Sequence, residues 1–169
     1  MKILTIEKRE EEKFLRKKTA EFDFSKFSKK EINELLKEMR KTMKEKDGVG
    51  LAANQAGFLF SMFVAESPAQ GATRKRFYAV FNPKIEKVSK ETEKDIEGCL
   101  SVPEVMGEVE RYKKITVSGF DRNGKKTKLK VFGYTARIFQ HEIDHLNGIL
   151  FIDRASKKFK VTGEKVMRG

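Results

Sequence analysis

Residues 134–147 read YTARIFQHEIDHLN and are followed by Gly148. Ile138, Phe139, Leu146 and the two histidines recur at helical spacing, so the stretch predicts a helix from Tyr134 to Asn147 that Gly148 ends. Apolar side chains and histidines on one inner surface make it a central, buried helix. His141 and His145 stand four residues apart, and one turn brings both imidazoles to a common face where they can share a metal. Glu142 then lies beside them, placed to handle a proton on metal-bound water. A bare His-Glu-x-x-His segment also arises by chance in charged helices, where a histidine is a core or surface residue. Here the pair comprises every histidine of the chain, which favours a site.

The sequence before this helix turns to strand material. Arg111 to Gly119 and Lys126 to Phe132 alternate apolar and polar residues around Asp121-Arg122-Asn123-Gly124, predicting an antiparallel hairpin. Met62–Ala65 and Phe77–Phe81 read as two strands separated by a polar stretch containing Pro68 and Gly71. Further upstream, Ser28-Lys29-Lys30-Glu31 is a capping-box pattern, and Ile32, Leu35, Leu36, Met39 and Met43 follow at helical spacing until Asp47-Gly48. Residues 7–24 are charge-dense with Phe14, Leu15, Phe22 and Phe24 interspersed, suggesting an arm with a short helical turn over the core. The expected fold is α+β, with mainly antiparallel β-sheets around a central helix of the C-terminal half and one further N-terminal helix. A doubly wound parallel sheet would need alternating helices, which are absent from the pattern. With no internal repeat or linker, residues 1–169 read as a single domain.

Composition narrows the class. Hydrophobic residues make up 38% and charged residues 37%, and 14 Phe without any Trp must supply the aromatic packing that a disordered chain would lack. The formal charge of +12 predicts attraction to polyanions, or else simply a solvated basic surface. Cys99 is the only cysteine, which rules out an intrachain disulfide and fits a reducing cytoplasm. No apolar run approaches the roughly 20 residues of a membrane span, and no export signal is evident.

A catalytic metal site of the usual kind takes three protein ligands and leaves one position open, so two imidazoles need a partner. Cys99, between Glu97-Gly98 and Leu100-Ser101-Val102-Pro103, where Gly98 and Pro103 suggest a strand that changes direction, is the best candidate, although a lone cytosolic cysteine is also often just a small buried apolar residue. A third segment, Gly48-Val49-Gly50-Leu51-Ala52-Ala53-Asn54-Gln55-Ala56-Gly57, misses the phosphate-loop spacing. Its small residues let another backbone approach closely, and Gln55 has amide hydrogens to donate to an oxyanion.

Together, Gly48 to Gln55, Glu97 to Ser101 and Gln140 to Leu146 resemble the three motifs of the peptide deformylase family in order and separation. Phe81-Asn82-Pro83-Lys84-Ile85 and Asn147-Gly148-Ile149-Leu150-Phe151 are similar too, so the resemblance covers nearly the whole chain. Asn54 departs from it where many members have proline, as does Met106 where some carry an arginine.

The resemblance implies removal of the formyl group from N-formylmethionine of nascent polypeptides. Cys99, His141 and His145 would bind one divalent metal, iron(II) natively, with zinc, nickel or cobalt also suited to the donors. Metal-bound hydroxide would attack the formyl carbon, Gln55 and the backbone N–H of Leu100 would stabilise the oxyanion, and Glu142 would serve as general base and then acid. The methionine side chain would enter a pocket near Val49, Gly50, Tyr134, Ile138 and His141, with Glu97 at its edge. Two rivals stand beside this reading. One is a zinc endopeptidase whose third ligand follows the helix, with Asp153 as candidate. The other is a basic module docking on ribosomal RNA through Lys157-Lys158-Phe159-Lys160, a contact that could also coexist with catalysis. Neither membrane binding nor stable DNA binding is expected.

Overall fold

Ser28 starts the first long helix in the predicted way. Its hydroxyl accepts from the Glu31 backbone N–H at 3.2 Å, while the Glu31 carboxylate accepts from the Ser28 N–H at 2.7 Å. This helix, α2 (Lys29–Glu45), is preceded by a seven-residue α1 (Arg9–Leu15), the helical turn of the N-terminal arm. The computed structural model describes residues 1–68 and 74–161; Gly71 of the expected inter-strand loop and residues 162–169 of the expected domain lie outside the described residues.

The remaining elements are β1 (Gly50–Ala52), β2 (Met62–Pro68), β3 (Lys75–Val88), β4 (Thr92–Cys99), β5 (Val102–Tyr112), β6 (Lys114–Phe120), β7 (Lys126–Phe132), α3 (Gly133–Leu146), α4 (Phe151–Arg154) and β8 (Lys157–Lys160). They form an antiparallel five-stranded sheet in the order β1-β2-β3-β6-β7 and an antiparallel three-stranded sheet in the order β4-β5-β8. The α+β expectation holds, with two corrections. Two helices, not one, precede the sheets, and a short α4 follows α3. Arg111 belongs to β5, so the hairpin's first strand begins only at Lys114.

Strand β2 is apolar on both faces because it lies between two helices. Phe63 and Ala65 face one way and join Ile138, Phe139, Ile143 and Leu146 of α3. Met62 and Val64 face the other and join Ile32, Leu36, Met39 and Met43 of α2. Each of these side chains larger than alanine contributes about 1.5–3 kcal/mol. Phenylalanine supplies the aromatic packing: Phe22 meets the rings of Phe24, Phe27, Phe60 and Phe81 at centroid distances of 4.6–5.1 Å.

Two backbone features hold the ends of this arrangement. Asn82, at φ 48° beside a register shift in β3, accepts from the Phe22 N–H at 2.7 Å and donates to the Phe22 carbonyl at 3.0 Å, pinning the arm. Helix α3 ends on Gly148 at φ 74°, whose N–H donates to His145 O while the Ile149 N–H donates to Asp144 O, both at 2.9 Å. No helix among the described residues is long and apolar enough to cross a membrane.

Ser28→Ala removes the reciprocal cap of α2 and is expected to lower stability by about 1 kcal/mol in urea unfolding. An unchanged midpoint would show that α2 needs no cap.

Candidate metal centre

Cys99 is the last residue of β4, immediately before the tight turn into β5, and its thiol meets His145 of α3. This contact brings a thiol together with two imidazoles that lie more than 40 positions further along the sequence. Cys99 Sγ lies 3.1 Å from His145 Nε2, which lies 3.2 Å from His141 Nε2, and the three donor atoms all fall within 4.8 Å of one another.

Such a set fits a divalent metal. Metal–nitrogen bonds of about 2.0–2.1 Å in a tetrahedron separate two ligand nitrogens by roughly 3.4 Å, close to what the imidazoles already show. One thiolate with two imidazoles is a borderline-soft set suited to iron, zinc, nickel or cobalt. Asp153 does not join it: its carboxylate pairs with Arg16 and accepts from the Leu150 N–H at 2.8 Å.

The two histidines are supported differently. His141 Nδ1 lies 2.9 Å from Glu97 Oε2, and Glu97 in turn accepts two bonds from Arg111 at 2.9 Å and one from Arg137 at 2.8 Å. Arg111 also pairs with Asp144, which Arg154 grips through both carboxylate oxygens at 2.6 and 2.7 Å. Burial opposes ionisation of Glu97, yet its hydrogen bonds to His141 and Arg111 win and hold it far below the usual carboxylate range. His145, by contrast, has no hydrogen-bond partner on Nδ1 among the described residues. Burial, then the positive charge on His141, pushes His145 well below its ordinary range. For His141 burial acts in the same direction, but hydrogen bonding to Cys99 and Glu97 overcomes it and raises the group.

Glu142 is buried, and one of its oxygens, Oε2, has no partner among the described residues. Desolvation is the main cause that raises its carboxyl to about 7, which suits a group that must both take and give a proton near neutrality. Its room comes from Gly50, where a Cβ would collide with the Glu142 carboxylate.

The small-residue segment forms edge strand β1 and then a 3-10 turn, Ala53–Ala56. Within it Gln55 is fixed at one end and turns its donor end toward Cys99 and Ser101. Its carbonyl oxygen accepts from the Ala52 N–H at 2.8 Å, and its amide nitrogen lies 3.1 Å from Ser101 Oγ and 3.5 Å from Cys99 Sγ.

Gly48, Val49, Gly50, Gln55, Glu97, Gly98, Cys99, Leu100, Ile138, His141 and Glu142 line one cleft, so most of the residues singled out from the sequence meet there. His145 sits behind its wall, and Tyr134, at the exposed start of α3, is outside the lining set. Sequence reasoning missed Arg111, Arg137, Asp144 and Arg154. Their one available signal was that Arg137 and Asp144 occupy the otherwise inward-facing surface of the motif helix.

The family model for polypeptide deformylase matches residues 2–161. A peptide deformylase of Carboxydothermus hydrogenoformans is 49% identical over 124 residues, covering 73% of this chain and 77% of the relative. Among solved structures, a probable peptide deformylase from Synechococcus phage S-SSM7 superposes with a TM-score of 0.80 at 43% identity, covering 91% of this chain and 99% of that one. The peptide deformylase of Thermotoga maritima gives a TM-score of 0.79 at 37% identity, covering 92% and 97%.

A buried carboxyl raised from 4.5 to about 7 favours the folded state only while protonated, so metal-free protein loses stability from Glu142 as pH rises through that window. Metal-free Glu142→Gln is expected to exceed metal-free wild type by roughly 3 kcal/mol above pH 7, and to match it below pH 4.5. Urea unfolding in chelator across this range measures the difference, and a gap that does not change with pH would contradict it.

Proposed function

Belonging as it does to the peptide deformylase family, the chain removes the N-formyl group from formylmethionine of nascent polypeptides, and we propose that Cys99, His141 and His145 hold its metal while Glu142 and Gln55 carry the chemistry. The observation that supports this most directly is the convergence of one thiol and two imidazole nitrogens at the cleft that also holds the buried carboxyl of Glu142. A divalent metal held by Cys99, His141 and His145 would supply Lewis acidity and lower the pKa of water toward neutrality. Iron(II) is the metal we infer from the family resemblance, and the thiolate donor makes such a site sensitive to oxidation.

The protein's own groups do the remaining work. Glu142 removes the proton from the attacking water as the new C–O bond forms. The formyl oxygen then becomes an oxyanion that accepts from the amide of Gln55 and the backbone N–H of Leu100, each such donor being worth about 3 kcal/mol. Glu142 returns its proton to the amine nitrogen as the C–N bond breaks, releasing formate and a free N-terminus. Val49, Gly50 and Ile138 give the methionine side chain apolar surroundings, with Glu97 at their edge. We infer that the whole chain acts as one catalytic domain, and that it works in the cytoplasm, where its single thiol stays reduced.

An anaerobic assay of formate release from a formyl-Met peptide is expected to show turnover by metal-loaded wild type and at least about a 100-fold loss in Glu142→Ala. Cys99→Ala should also lose its metal. A variant that kept its metal while cleaving internal peptide bonds would instead favour an endopeptidase.

We further propose transient docking on ribosomal RNA through the basic surface. Lys157, Lys158 and Lys160 are exposed along β8, and Lys37, Arg40, Lys41, Lys44 and Arg122 line a groove between α2 and the β6–β7 turn. Ribosome co-sedimentation should weaken steeply with salt; absent or salt-independent association would contradict the proposal.

A further inference from the structure

We infer that Asn54 is the positioning residue for His145, and that it sets the spacing between this metal ligand and the amide of Gln55. The inference rests on the metal-site reading above. A metal-ligating histidine is normally oriented by a hydrogen bond to its second ring nitrogen. His141 has one, to Glu97, whereas His145 Nδ1 has no partner among the described residues. The imidazole of His145 must therefore take its orientation from the packing around it and from the placement of its own main chain.

Asn54 grips that main chain. It is fully buried, and its amide nitrogen donates to the His145 carbonyl at 2.5 Å and to the Leu15 carbonyl at 3.3 Å. It also immediately precedes Gln55 in the 3-10 turn Ala53–Ala56. One side chain thus ties the turn carrying the oxyanion donor to the helix carrying the ligand, and fastens both to the end of α1. Thr19 provides an internal comparison. Its N–H and hydroxyl both donate to the Leu146 carbonyl, at 2.9 and 3.0 Å, so it caps the same helix end without touching the Gln55 turn.

The test uses the full chain loaded with cobalt(II), comparing Asn54→Leu with Thr19→Val. Asn54→Leu is expected to release cobalt to a chelator about tenfold faster or more, to shift the cobalt d–d absorption bands, and to lower kcat with KM within about twofold. Thr19→Val is expected to lower Tm while leaving release rate, spectrum and kcat at wild-type values. Asn54→Leu behaving as Thr19→Val does would overturn the inference. Wild type that neither binds cobalt nor releases formate would instead overturn the metal-site reading itself. Should Asn54→Leu not fold, NMR of wild type decides: the Asn54 side-chain amide protons are expected to exchange slowly and to shift on zinc binding. Fast exchange with no response to zinc would overturn the inference.

Discussion

Glu97 is a buried carboxylate between two arginines and an imidazole, and the geometry of the site depends on it. It sits on β4 two residues before Cys99, while its partners come from β5 and α3, so it joins the three elements that meet at the candidate metal centre. A charge buried in this way is costly unless every partner is in place, and removing one partner of such a network typically costs about 3–5 kcal/mol. The same expense makes the arrangement selective. A slip of β4 against β5 by one residue would strand Glu97 from Arg111 and carry the thiol away from the histidines. Specificity of register is thus a property of the polar network, and the surrounding apolar core supplies most of the stability.

The parts of the fold legible in the sequence are those where one residue pattern answers to one physical cause. Helix α2 announces itself by its capping box and apolar stripe, and α3 by the spacing of its histidines and apolar residues. Of strand β4 only the end shows in the sequence, where Gly98 and Pro103 mark a change of direction around Cys99; five of its eight positions are exposed and TEKDIEGC lacks alternation, so its hydrogen bonds to β5 hold it in place. Strand β1 is only three residues long, and β8 is exposed throughout, paired by its backbone to β5. The seven-residue α1 buries only Leu15, too little for a pattern.

Legibility of the site divides along similar lines. Cys99, both histidines, Glu142 and Gln55 are rare or motif-bound residue types, so their spacing carries information. Arg111, Arg137 and Arg154 are three among 37 lysines and arginines, and nothing in a strongly basic sequence separates a buried guanidinium from a solvated one. Asn54 departs from the family pattern, but its reach to a carbonyl 91 positions away is a property of the folded backbone alone.

That long reach bears on how the protein is made. Chains are synthesised from the N-terminus, and non-local contacts form only after the cost of closing the intervening loop has been met. Gln55 and its turn leave the ribosome long before α3 exists, the thiol follows, and the two histidines come after both. Until the last turn of α3 has emerged, Asn54 has no carbonyl to hold and Glu97 has no imidazole to orient. A molecule that edits the beginnings of other chains can therefore assemble its own centre only once its motif helix α3 has been made.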